Sequence, residues 1–346
     1  MQCRTTRLSK MRLQFRRWVA LLPALLVAAQ VFAQGPASKP LQGELRIHDP
    51  STIIHCQSNY WVFGTGWGIR SRFSTDLIDW QAGPAVFSTS PSWTTNAVPG
   101  NRGHLWAPDA VQVRDHYYLY YSVSTWGSRN SAIGLATAAL PPPSQTNLAW
   151  EDHGLVVRTT TQDQFNAIDP SALLDSSGRL WLAFGSYWSG IKLIELDPAT
   201  GLRQDTNSPI HSLAWNESIE AACLYQHGDY CYLFVNWGQC CRGTNSTYEI
   251  RVGRSPVATG PFVDGTGKDM LQRGGNLFLK TAGPRIGPGH AAILKDGQRF
   301  WFSYHYYDGD EHGVSKLGIL PLTWTADGWP ALITARGDSV SPHDSK

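Results

Sequence analysis

Charge is scarce in this 346-residue chain: Asp, Glu, Lys and Arg make up 16% of it, against roughly 25% in an average soluble domain. With 42% hydrophobic residues, that composition excludes a disordered or fibrous chain. No Lys/Arg run occurs beyond the first 20 residues, so nucleic-acid binding has no electrostatic footing. No CxxC or His/Cys spacing of a zinc site is present, and no apolar run after the N-terminal segment is long enough for a membrane span. A helical period over about 11 or more residues is also missing. What the chain does have is Gly 33, Trp 15, Tyr 13 and Phe 12, the make-up of a turn-rich β protein with aromatic surfaces.

The N-terminus carries most of the unbalanced positive charge. Arg4, Arg7, Lys10, Arg12, Arg16 and Arg17 precede an apolar stretch from Trp18 to about Val31, and Val31-Phe32-Ala33 has the small-residue pattern of a cleavage site. Residues 1–33 are expected to be a secretory signal, with Met1 or Met11 as its start, and residues 34–346 to be one domain. Removing the six cations takes the formal charge from +2 to −4. The mature protein is then expected to be secreted or periplasmic, monomeric and free of the membrane. Five cysteines remain (Cys56, Cys223, Cys231, Cys240 and Cys241), an odd number that cannot all pair within the chain. For the adjacent Cys240 and Cys241, a strained vicinal disulfide and two free thiols both stay open.

A five-fold theme runs along the sequence. Units begin at Asp49-Pro50-Ser51, Pro108-Asp109-Ala110, Asp169-Pro170-Ser171, Glu220-Ala221-Ala222 and Gly289-His290-Ala291. Each continues into a short apolar strand, then a turn such as Asp175-Ser176-Ser177-Gly178, then an aromatic strand such as Tyr117-Tyr118-Leu119-Tyr120-Tyr121 or Phe300-Trp301-Phe302, then a third strand. Units restart about every 50–70 residues, near the length of a propeller blade with loop insertions. Small antiparallel sheets that cannot bury both faces alone are satisfied by radial packing, which predicts an all-β, five-bladed β-propeller. A β-sandwich would not explain the regular restarts.

In a propeller the first strand of each blade lines the axis, so Asp49, Asp109, Asp169, Glu220 and His290 are expected to meet at one end of the channel. Asp before Pro is a common turn opener; the shared phase within the repeat is what points to a site. Convergent carboxylates suit glycoside hydrolysis, in which one acid protonates the leaving oxygen and one carboxylate activates water or attacks the sugar. Crowding of like charges raises at least one of their pKa values, as a general acid at neutral pH requires. Loop aromatics Trp67, Trp93, Trp106, Trp126, Phe165, Trp188 and Trp237 could wall a saccharide groove.

His48-Asp49-Pro50-Ser51, Leu105-Trp106-Ala107-Pro108-Asp109, Ala167-Ile168-Asp169-Pro170-Ser171, Phe184-Gly185-Ser186-Tyr187-Trp188-Ser189-Gly190-Ile191 and Cys241-Arg242-Gly243-Thr244-Asn245-Ser246-Thr247-Tyr248 together resemble glycoside hydrolase family 43, most closely its arabinanases. The resemblance spans about residues 44–325. It implies a five-bladed propeller that hydrolyses α-1,5-linked L-arabinofuranosyl chains (arabinan or arabino-oligosaccharide) with inversion. It further implies Asp49 as general base, Glu220 as general acid and Asp169 as the carboxylate that raises and orients the acid. His48, Trp93, Trp106, Phe165, Asn166, Ser186 and Trp188 are the implied substrate contacts. His290 is implied to help hold calcium or a similar ion on the axis, partly through water. Asp109 receives no catalytic part. Glu220-Ala221-Ala222 departs from the family's usual Glu-Ala-Pro, which leaves the geometry of that strand start open.

Exo-acting arabinanase and α-L-arabinofuranosidase/β-xylosidase activities belong to the same resemblance, and the loops at about 84–105 and 141–166 would decide between open and blocked grooves. A non-catalytic carbohydrate-binding propeller is a reading of a different class. It has no use for three convergent carboxylates.

Overall fold

A computed structural model describes residues 39–142 and 147–333, together with the backbone of Ser339–Val340; the expected signal segment lies outside the described residues. Five antiparallel sheets follow one another along the chain. Blade 1 is built on Ile54–Cys56, Asn59–Gly64, Arg70–Ser74 and Asp79–Ala82. Blade 2 comprises His104–Val113, His116–Val123, Ser131–Ala139 and Glu151–Thr159. Ser171–Leu174, Leu180–Phe184, Ile191–Leu196 and His211–Ala214 form blade 3. Blade 4 is made of Glu220–His227, Tyr230–Trp237, Glu249–Ser255 and Asn276–Leu279. Arg285–Asp296, Arg299–Asp308, Val314–Trp324 and Pro330–Ile333 make blade 5. The five-bladed propeller is thus the observed fold.

The packing is radial because each hydrophobic cluster lies between two neighbouring blades. Leu119 and Tyr121 of blade 2 pack on Trp61 and Phe63 of blade 1, Leu182 and Phe184 on Tyr120 and Leu135, Leu233 and Val235 on Trp181 and Leu193, and Phe302 and Tyr304 on Phe234 and Val252. Trp301 and Leu317 of blade 5 close the circle on Val62 and Trp80 of blade 1. Phe184, Phe234 and Phe302 are fully buried, each worth about 1.5–3 kcal/mol of transfer free energy. The aromatic second strands identified in the sequence therefore supply inter-blade packing.

Closure needs more than side chains. The segment after Gln42–Gly43 runs beside the third strand of blade 5, with Leu317 N–H donating to Leu45 O at 2.9 Å and Ile47 N–H to Ser315 O at 3.3 Å. Gln42–Gly43 itself pairs in parallel with Asp79–Trp80 at the outer edge of blade 1. The N-terminal segment thereby joins the last blade to the first. At the axis, Asp109 stitches three blades: its carboxylate accepts from Thr52 N–H at 2.9 Å and from Ala172 N–H at 2.8 Å.

Candidate active site

Each inner strand begins with one non-glycine residue in the left-handed region: Asp49 (φ 51°), Ala107 (φ 41°), Asp169 (φ 57°), Ala221 (φ 53°) and His290 (φ 59°). Such a conformation costs about 1–3 kcal/mol. The strand registers explain its recurrence, since pairing jumps from Trp106 to Asp109, from Glu220 to Cys223 and from Gly289 to Ala292. These are bulges, which re-aim side chains. The register corrects the sequence alignment of the repeats. Asp49, Asp169 and His290 are true equivalents, but Asp109 falls two residues later and Glu220 one residue earlier. Asp109 consequently turns to the inner-strand backbone and stays out of the cluster, while Ala107 and Ala221 hold the two remaining equivalent positions.

Asp49 is held from several sides. Thr65 Oγ1 donates to its Oδ2 at 2.6 Å, His48 Nδ1 lies 2.8 Å from the same oxygen, and His290 Nδ1 lies 3.5 Å from Oδ1. Thr65 is itself fixed by accepting from Ala107 N–H at 2.8 Å. Burial alone would raise this carboxyl, but the His48 charge and the hydrogen bonds from His290 and His48 outweigh it and hold Asp49 well below the usual range. Burial opposes protonation of His48 too, yet Asp49 raises it to about 10. The two therefore form an ion pair at neutral pH.

Glu220 sits in a different environment. It is buried, Ser186 Oγ donates to Oε2 at 2.7 Å and Tyr248 OH donates to Oε1. Desolvation raises its pKa, only partly offset by those two donors. Gly289 makes room for this arrangement: a Cβ there would come within 2.4 Å of the Tyr248 ring. Asp169 is pushed up to about 8 by burial and then by the neighbouring Glu220 charge. Its amide donates to Ser122 Oγ at 2.9 Å and its Oδ2 accepts from Ala221 N–H at 3.1 Å. One carboxylate driven down and two driven up is the pattern that separates base from acid.

A cleft of about 480 Å³ opens on Glu220, walled by Trp106, Trp126, Trp188 and Tyr187, with Asn166, Ser186, Cys240 and Arg242 as its polar rim. Asn166 Oδ1 is buried without a hydrogen-bond partner among the described residues, an acceptor free for a sugar hydroxyl. Four of the expected substrate contacts (Trp106, Asn166, Ser186 and Trp188) thus face the cleft. Three are placed otherwise. Trp93, on the short helix Trp93–Ala97, packs on Tyr121 with ring centroids 6.2 Å apart and sends Nε1 toward Asp152. Phe165 packs on Phe184 in the cluster between blades 2 and 3. Both rings are partly buried against inter-blade hydrophobic clusters. His48 spends both ring nitrogens on protein, with Nε2 2.8 Å from Tyr307 OH and its face stacked on His305 at 4.2 Å; it positions Asp49.

Several site residues escaped sequence reasoning. His305 and Tyr307 lie on the aromatic second strand of blade 5, and only the pairing of His305 with Gly289, next to His290, reveals their place. Thr65 follows blade 1's second strand with no distinguishing signal. Tyr248 closes one of the quoted motifs without showing what it binds. Cys240 and Cys241 are free thiols; Cys240 lines the cleft and Cys241 Sγ lies 3.8 Å from His48 Nε2.

Among the described residues, the donor atoms that come together are those of His48, Asp49 and His305, within 4.8 Å of one another. This is a nitrogen-rich set, whereas calcium takes six to eight oxygens. His305 Nδ1 already accepts from Asp49 N–H at 3.2 Å, and Asp49 is occupied by His48, Thr65 and His290. Among the described residues no cage of protein oxygens surrounds His290, so calcium there would be held by the His290 ring and by water, acting through its charge on the neighbouring carboxylates.

Residues 42–330 match the glycosyl hydrolases family 43. An extracellular endo-α-(1→5)-L-arabinanase of Bacillus subtilis (strain 168) is 38% identical over 333 residues, 93% of this chain and 99% of that one. An extracellular exo-α-(1→5)-L-arabinofuranosidase of Cellvibrio japonicus (strain Ueda107) is 38% identical over 311 residues, covering 86% and 89%. Among solved structures, a Cellvibrio cellulosa α-L-arabinanase complexed with arabinohexaose superposes with a TM-score of 0.78 at 37% identity, covering 83% of this chain and 95% of that one. Fold, bulged inner strands and similarity over most of the chain lead to one assignment: this protein belongs to glycosyl hydrolase family 43.

Proposed function

We propose that this protein is a secreted arabinan endo-1,5-α-L-arabinosidase that cleaves by single displacement with inversion. The observation that carries the reading is the divided titration of the site: Asp49 held low beside His48, Glu220 and Asp169 held high in a buried pair. At neutral pH Asp49 accepts the proton of a water as its oxygen attacks the anomeric carbon. Glu220 gives its proton to the departing glycosidic oxygen. Such a site places the two carboxyls roughly 6.5–9.5 Å apart to admit the water. Asp169 keeps a proton available next to Glu220 by opposing a second negative charge. Trp106 and Trp188 offer ring faces to sugar C–H surfaces, and Asn166 accepts from a hydroxyl.

The extracellular relatives support export of the mature chain, and no helix among the described residues is long and apolar enough to cross a membrane. A second reading, exo action, has the support of the Cellvibrio japonicus relative. Time-resolved product analysis on linear arabinan decides between them: a ladder of oligosaccharides at early times is the endo result, a single short product from the outset the exo result. Absence of turnover that Glu220→Ala abolishes would overturn both, leaving a carbohydrate-binding propeller.

A further inference from the structure

Trp188 borders two depressions. On one side lies the catalytic cleft; on the other is a groove of about 580 Å³ bounded by Gln164, Ser189, Lys192, Ser212, Trp215 and Leu271. The two residues are linked, because the Trp215 indole Nε1–H donates to the backbone carbonyl O of Trp188 at 3.0 Å. Each also carries a guanidinium, Arg129 near the ring of Trp188 and Arg273 near that of Trp215.

Lys192 is the unusual member. The residue is only 6% exposed, yet among the described residues its ammonium reaches only neutral acceptors, Ser189 O at 2.6 Å and Ser212 Oγ at 3.0 Å. A lysine ammonium has three donors, and among the described residues no third acceptor meets it. A buried cation without a counter-charge is costly, and burial alone pulls Lys192 below the ordinary lysine range. The carboxylates next to the groove residues in sequence are engaged elsewhere: Asp163 accepts from Thr160 N–H at 2.7 Å, Asp269 from Leu271 N–H at 2.8 Å, and Glu217 pairs with Arg273. Arg129 likewise donates to a neutral partner, Thr161 O, at 2.7 Å.

We infer that this groove is a second saccharide subsite, continuous with the cleft across Trp188, which takes a sugar bearing a carboxylate, a uronic acid residue. Trp188 and Trp215 supply ring faces and Lys192 the counter-charge. A neutral arabinofuranosyl unit would leave that cation uncompensated. The role of such a subsite is to favour arabinan chains still attached to an acidic polysaccharide over detached neutral ones. The inference rests on the arabinanase reading above.

The test uses the whole mature protein, with trigalacturonate, its carboxyl-reduced neutral analogue and linear arabinan as probes. Calorimetry should show trigalacturonate binding, weakened by added salt and absent for the reduced analogue. Lys192→Met should weaken it by about ten-fold or more, the scale of a lost charge-assisted hydrogen bond, and Lys192→Arg should restore part of it. Turnover of linear arabinan should stay unchanged in both. Trp215→Ala is the second variant, in case Lys192→Met fails to fold, and should weaken trigalacturonate binding with the same indifference to linear arabinan. No binding by the wild type, equal binding of the reduced analogue, or equal losses on both substrates would each overturn the subsite. Hydrolysis of linear arabinan with no uronate effect defeats the subsite alone, whereas no hydrolysis of arabinan defeats the arabinanase reading itself.

Discussion

The backbone N–H of Ala221 donates to Oδ2 of Asp169 at 3.1 Å, so the carboxylate proposed to tune the acid is tied to the peptide immediately after the acid itself. Asp169 and Glu220 start inner strands of different blades, and this bond ties one strand start to the other. Under the proposed mechanism Asp169 acts as a positioning residue, and its loss should differ in kind from loss of Glu220 or Asp49.

Asp49→Asn and Glu220→Gln are expected to lower kcat on arabinan by about 10²–10⁴-fold each, the range of general acid–base catalysis. Glu220→Gln should recover most of its activity on an aryl arabinoside whose leaving group needs no proton, and Asp49→Asn should not. Parallel kinetics on the two substrates check the assignment. Equal recovery by both variants would exchange or remove the proposed roles.

The pH dependence follows from the directions of the shifts. Asp49 lies well below its ordinary value and stays ionised into acid, whereas burial raises Glu220 above its ordinary value and burial with the Glu220 charge pushes Asp169 up to about 8, so the proton held by this pair is given up on the alkaline side. Activity should therefore be lost on the alkaline side as the buried pair ionises. Stability carries the same sign. A carboxyl whose folded pKa exceeds its unfolded one binds more protons folded, so its contribution falls as pH rises from the unfolded value through the folded one. Asp169→Asn removes that loss, and its Tm should exceed the wild-type Tm most clearly above about pH 8 while activity drops. A Tm gain confined to acid pH would contradict the shift.

Tyr248 donates to Glu220 and thereby favours the ionised acid. Tyr248→Phe should move the alkaline limb of kcat to higher pH, while Ser186→Ala, removing the second donor, should act in the same direction. A purely structural role would lower Tm and leave the limb in place, which a pH–rate profile with a melting curve distinguishes.

Much of this architecture was legible because the repeat is written in residue types. Aromatic strands such as Tyr117–Tyr121 and turns such as Asp175–Gly178 mark each blade, and the Asp-Pro pairs at 49 and 169 mark strand starts. The one-residue offset of Glu220 was not legible, because a bulge shows only in the pairing partner and Ala221 has no chemistry to announce it. Thr65, His305 and Tyr307 were hidden for a related reason: their contacts to the site cross from one part of the sheet register to another. Trp93 and Phe165 failed as cleft residues because an aromatic in a loop reads the same whether it roofs a core or lines a groove.

That distinction can be measured. Trp106→Ala should raise KM for arabinan with little change in Tm, since the ring borders the cleft. Trp93→Ala should lower Tm and leave KM unchanged, since the ring packs on Tyr121. The reverse pattern would return Trp93 to the substrate path.

Asp109 offers the sharpest separation of fold from catalysis. Its buried carboxylate joins Thr52 and Ala172 across three inner strands, and burial raises its pKa against those backbone donors. Asp109→Ala leaves two part-buried N–H groups without this acceptor, at up to about 1–3 kcal/mol each. Asp109→Asn keeps one acceptor oxygen and should lose less. Chemical denaturation should rank wild type above Asp109→Asn above Asp109→Ala, with kcat per folded molecule nearly constant. A large fall in kcat of the folded Asp109→Asn protein would instead place Asp109 among the catalytic carboxylates.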